Sequence, residues 1–141
     1  MAKNIILDSG YWFAFYEETD TFHEEALLIS EYLQPHTLVV PWPSLYETLN
    51  TRFVRRTDWL LSFEMLLKNT NTLQLSDHKY KHHALTSIFL QNKSHKKFSL
   101  VDLVIREILL DPEMKIHAIV TFNAADFEDI CWKKGIEIFN G

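Results

Sequence analysis

The chain has 141 residues, 47% of them hydrophobic and 23% charged, a balance that favours one globular domain and excludes a disordered chain. Its formal net charge of −5 argues against general adhesion to nucleic acid or to an anionic membrane, and leaves any local basic patch to be judged on its own. No run approaches the roughly 20 apolar residues of a membrane helix, and "MAKNIILDSGYWF" lacks a signal-peptide core and cleavage site, so a cytoplasmic protein with no membrane partner is expected.

"NIILD" (4–8) reads as a short buried strand ending at an aspartate and a "SG" turn. Helical spacing follows over 21–34 and stops at Pro35. "TLVV" (37–40) predicts a second buried strand, and Pro43 sits where helices accept proline, so one helix is expected through "SLYETLNTRFVRR". A strongly apolar helix over 58–69, a third strand at 72–75 and a helix over 77–93 come next. The stretch "FSLVDLVIREILL" (98–110) predicts another helix, with an unexplained aspartate near its start. Then come a strand (116–122), a helix (124–134) stopped by Gly135 and a fifth strand (136–139). Cys131, the one cysteine, has no disulfide partner and should be a buried thiol. The alternation predicts an α/β fold, a single domain over 1–141 with a parallel five-stranded sheet flanked by helices.

Ligands of such sheets bind outside the carboxyl ends of the strands, which directs attention to four acids. Asp8 ends the first strand, and Glu47 and Asp126 fall in the first turns of helices after the second and fourth strands. Asp102 begins the helix leading into the fourth strand. Helix capping explains any one of them. Ser44–Glu47 and Ser99–Asp102 have capping-box spacing, Asn123–Asp126 is analogous, and Thr21–Glu24 repeats the spacing on a helix with no functional claim. Asp102 has Arg106 four residues on as a further partner. Capping leaves convergence unexplained. Four carboxylates in one cleft repel one another and raise some pKa values unless a cation intervenes. An all-oxygen donor set with Asn123 nearby suits magnesium or manganese better than zinc, and such an ion supports phosphodiester hydrolysis.

At these residues the sequence resembles PIN-domain nucleases, and most closely the VapC-like toxin ribonucleases of toxin–antitoxin pairs. The resemblance rests on "ILDSGYWFAF", "DTFHEEA", "PSLYETLN", "FSLVDLVI" and "IVTFNAADFEDI", in the family's order, from residue 4 to 139. It implies that Asp8, Glu47, Asp102 and Asp126 hold one or two magnesium or manganese ions and position a water against an RNA phosphodiester. Asp8 and Asp102 would be the principal ligands, with Ser9, Ser99 and Thr121 lining the site. Many relatives carry an acid where this chain has Asn123, which leaves one ion or two open. The resemblance also implies a homodimer and a cognate antitoxin. The other reading is a catalytically silent PIN-like module that binds RNA or a protein partner.

Two basic islands, "HKYKHH" (78–83) and "KSHKK" (93–97), break the acidic background. Lys79, Lys81, Lys93, Lys96 and Lys97 are candidate phosphate contacts, as are Arg52 and Arg55 beyond Glu47. A solvated helix face is the alternative for the islands. The islands are expected to flank the acidic cleft. The aromatic run "YWFAFY" (11–16) should be mostly core, although unpaired bases also stack on such rings. Asp-x-Asp phosphatase, receiver and P-loop patterns are all absent, and the chain has three glycines.

Overall fold

A computed structural model describes residues 1–140. Strand β1 (Asn4–Leu7) shows why the sheet is interior: Ile5 and Leu7 are buried against one face and Ile6 against the other. Strand β2 (Thr37–Pro41) repeats the pattern, with Leu38 and Val40 on the first face and Val39 on the second. Apolar residues on both sides of the pleat are the mark of a parallel strand covered by helices.

With β3 (Thr72–Leu75), β4 (Ala118–Val120) and β5 (Glu137–Phe139), these make a five-stranded parallel sheet in the order β3-β2-β1-β4-β5. Helices α1 (Ser9–Tyr16), α2 (His23–Leu33) and α5 (Thr57–Leu67) cover one face. Helices α6 (Lys81–Leu90), α7 (Leu100–Leu110) and α8 (Glu128–Lys134) cover the other. The expected α/β class and five-stranded sheet are what the chain adopts. The aromatic run of α1 is largely core, as Trp12 packs edge-on to Phe63 with ring centroids 5.0 Å apart. Cys131 is buried too, and burial pushes its thiol up to about 11.

Several expected elements are shorter or broken, and the strand expected over 116–122 is confined to Ala118–Val120. The helix after β2 splits into α3 (Trp42–Thr48) and α4 (Thr51–Val54). Asn50 causes the break by accepting the Phe53 backbone N–H at 3.0 Å, an N-cap role that competes with continued helix. The helix expected over 77–93 is confined to Lys81–Leu90. Residues Ala124–Asp126 form a 3₁₀ turn ahead of α8. Among the described residues no helix is long and apolar enough to cross a membrane.

The topology selects one place for a site. From central β1 the chain builds outward to β2 and β3, then crosses to β4 and β5 on the other side. The crevice outside the carboxyl ends of β1 and β4 is therefore the switch point of the sheet.

Gly135 ends α8 with φ +67°, and nothing lies within 4 Å of where its Cβ would stand. Gly135→Ala should lower unfolding free energy by about 1 kcal/mol for backbone reasons alone. Gly10, inside α1 with similar free space, should gain roughly 0.5–1 kcal/mol on replacement by alanine. Urea unfolding of both variants checks the opposite signs.

Candidate active site: a carboxylate edge at the switch point

Asp8 leaves β1 at the carboxyl edge and is only 5% exposed. One of its oxygens accepts the Ser9 backbone N–H at 2.8 Å, capping α1. The other accepts the buried Thr121 hydroxyl at 2.9 Å. Thr121 Oγ1 is itself oriented by the Asn123 backbone N–H at 3.0 Å. These donors fix the carboxylate without neutralising it. Ser9 also reaches the next acid, since its hydroxyl donates to Glu47 Oε1 at 2.8 Å.

The capping alternatives can now be judged singly. Ser44 is buried inside α3, and its hydroxyl is without a hydrogen-bond partner, so the Ser44–Glu47 box is not formed. Glu47 accordingly lies in the second turn of α3 rather than the first, because the helix begins at Trp42. Asp126 lies in the 3₁₀ turn, where its backbone N–H meets the Asn123 carbonyl and no side chain caps. Thr21–Glu24 makes no cap either, as α2 starts after Phe22. The Ser99 cap is real: its Oγ accepts the Asp102 backbone N–H at 3.1 Å. Arg106 does not pair with Asp102. It forms a two-pronged pair with Asp129, 2.8 Å on each prong, and donates to the Asp126 carbonyl at 2.8 Å.

Burial first, and then the nearby Glu47 and Asp126 charges, raise the Asp8 pKa above its usual value against the lowering effect of Thr121 and Ser9. Half-buried Asp102 is raised by burial, by Asp126 and by Asp8, against hydrogen bonds from Ser99. The four carboxylates thus share one electrostatic neighbourhood, in which burial outweighs the like-charge effect expected to dominate. They do not touch. Among the described residues no group of three or more Asp, Glu, His or Cys side chains is close enough to form a ligand cage. The donor set still fits a hard divalent cation: carboxylate oxygens, restrained by hydroxyls and amides, with no lysine or arginine ion-paired to Asp8, Glu47 or Asp102 among the described residues. Magnesium uses one or two carboxylates and keeps several waters, so it needs no closed cage.

The basic candidates divide. Lys96 sits 3.8 Å from an Asp126 carboxylate oxygen, donates to the Ala125 carbonyl and lies over the Phe98 ring. Lys81 lines a groove that Glu47 shares. Lys79 is drawn away, to Asp111 at 2.8 Å and Glu113 at 3.0 Å beyond the far end of α7 from Asp102. Arg52 pairs with Glu17, and Arg55, Lys93 and Lys97 are exposed. Of the islands, the structure thus sets Lys96 beside Asp126 and Lys81 in a groove with Glu47, and turns Lys79 away from the four acids. Sequence reasoning missed Ser9 as the bridge between Asp8 and Glu47, and the Lys96–Asp126 contact, whose partners lie 30 residues apart.

No family model and no curated protein matches the chain. Solved structures do. The Mycobacterium tuberculosis toxin VapC20, described as cleaving the sarcin–ricin loop, superposes with a TM-score of 0.70 at 16% identity, over 89% of this chain and 94% of that one. A chain of VapBC2 from Rickettsia felis, solved bound to a fragment of its promoter DNA, superposes with a TM-score of 0.58 at 12% identity, over 96% of each. The fold is PIN-like and is shared with these two structures.

A carboxylate whose folded pKa is raised binds its proton more tightly folded than unfolded. Its contribution to stability is therefore full below the ordinary value of 3.8 and is lost as pH rises through the folded pKa. Asp102→Asn should then unfold at a higher temperature than wild type at pH 7 in EDTA, with the gap closing as pH falls toward 3.8. Thermal unfolding across that range checks the sign.

Proposed function

We propose that the protein is a single-domain, cytoplasmic, metal-dependent endoribonuclease that hydrolyses RNA phosphodiester bonds by water attack. The observation that carries this reading is Asp8: a buried carboxylate at the switch point, held by hydroxyl and amide donors and surrounded by Glu47, Asp102 and Asp126 rather than by arginine or lysine. Stability alone does not explain that arrangement, because every one of these charges opposes the others.

In this reading Asp8 and Asp102 hold one Mg²⁺ or Mn²⁺, with Glu47 and Asp126 as further ligands, directly or through water. When bound, such an ion stabilises charge on the phosphoryl group and makes a water more acidic. The chain's own residues do the positioning. Thr121 fixes one Asp8 oxygen and Ser9 the other, so the carboxylate cannot rotate away from the edge. Ser9 also holds Glu47, and Ser99 orients the start of α7 that presents Asp102. Lys96 beside Asp126 is available to an RNA phosphate.

The toxin role is part of the same proposal, with an antitoxin as partner and a homodimer as assembly. It is supported by the fold shared with VapC20, a toxin, and with a chain of VapBC2. Leu61 and Met65, exposed one turn apart on α5, support a protein contact there.

A total RNA pool incubated with wild type and with Asp102→Asn, in magnesium, manganese or EDTA, tests the reaction. The expected result is discrete fragments from wild type with metal, none in EDTA, and cleavage by the variant reduced on the order of a hundredfold or more. Equal cleavage by both proteins would remove Asp102 from the chemistry. Binding of RNA without cleavage by either would favour the silent module.

A further inference from the structure

Helix α3 does more than carry Glu47. Its exposed aromatics, Trp42 and Tyr46, lie one turn apart with ring centroids 5.9 Å apart and planes at 53°. Tyr46 is 73% exposed, so the core does not use its ring face. Between α3 and the start of α7 is a cavity of about 390 Å³, walled by Pro43, Leu100, Val101 and Val104 and bordered by Tyr46 and Glu47. Only two other charged groups line it, Asp77 and Lys81. Glu47 belongs both to this groove and to the carboxylate edge, where its Oε1 accepts the Ser9 hydroxyl at 2.8 Å.

We propose that this groove is a nucleobase subsite for an unpaired nucleotide flanking the scissile phosphate, and that it favours bases carrying an exocyclic amine. The inference rests on the ribonuclease reading above and deepens it. The shape suits the occupant: the volume is that of a small-molecule site, and an amphipathic helix would need a longer channel to seat anchors over two turns. The chemistry suits it as well. Tyr46 offers a ring for a base to stack on, the aliphatic walls cover the other face, and unpaired RNA is held in this manner. Asp77 is an acceptor for an exocyclic amine, which adenine, cytosine and guanine have and uracil lacks. Lys81 is a donor for a ring nitrogen, a carbonyl or the adjacent phosphate.

The test is equilibrium binding of labelled single-stranded RNA hexamers, oligo(A) and oligo(U), by fluorescence anisotropy in magnesium. All proteins carry Asp102→Asn, so that the hexamers are not consumed. Tighter binding of oligo(A) than of oligo(U) is expected, weakened roughly tenfold by Tyr46→Ala. Asp77→Ala should abolish the oligo(A)-over-oligo(U) affinity ratio, whatever the change in affinity common to both hexamers. Hexamer binding indifferent to Tyr46→Ala overturns the subsite and leaves the nuclease reading standing. A shift of oligomeric state in Tyr46→Ala, with RNA binding unchanged, would assign the groove to a protein and overturn the subsite as well. Hexamer binding that depends on Tyr46 in a protein whose wild type cuts no RNA overturns the subsite as proposed together with the nuclease reading.

Discussion

Asp8 is the constraint around which the rest is arranged. A carboxylate placed almost out of water at the end of a central strand is costly unless hydrogen bonds and a counter-charge compensate it. The chain supplies the hydrogen bonds, from Ser9 and Thr121, and no neutralising lysine or arginine among the described residues. Everything else at this edge adds negative charge. Glu47 arrives on the helix after β2, Asp126 after β4, and Asp102 on the helix that precedes β4. The fold tolerates the concentration because the Ser9 amide and the Thr121 hydroxyl hold Asp8, and because Glu47 and Asp126 keep contact with solvent.

Arg106, Arg52 and Lys79 are ion-paired away from Asp8, Glu47 and Asp102. Arg106 is committed to Asp129 and to the Asp126 carbonyl, where it stacks on Phe98 at 4.2 Å and ties α7 to α8. Arg52 is committed to Glu17, and Lys79 to Asp111 and Glu113. Among the described residues only Lys96 is within ion-pair distance of an acid of the edge, and it reaches Asp126 rather than Asp8. The result is a buried negative charge with no lysine or arginine ion-paired to it among the described residues, which is a different design from a stabilising ion-pair network.

Much of this was legible in the chain. Apolar strands on a buried sheet and amphipathic helices between them give the parallel fold directly, and the carboxyl-edge rule then selects Asp8, Glu47 and Asp126 without reference to any relative. What the sequence could not separate was a cap from a site residue, because S-x-x-acid spacing is compatible with both. The structure separates them: Ser99 caps, while Ser44 is an interior residue of α3 and caps nothing. The break at Asn50 was hidden because asparagine is tolerated in a helix and its capping bond depends on where the chain can turn. Long-range pairs such as Ser9–Glu47 and Lys79–Asp111 leave no periodic signal and had to be seen in three dimensions.

The most direct test of the central claim, that this edge is built for a divalent cation, is calorimetric titration of Mn²⁺ into wild type and Asp8→Asn at pH 7. The account predicts saturable binding of one or two ions to wild type, weakened at least about tenfold in the variant. Undiminished binding to Asp8→Asn, or no binding to wild type, would contradict it.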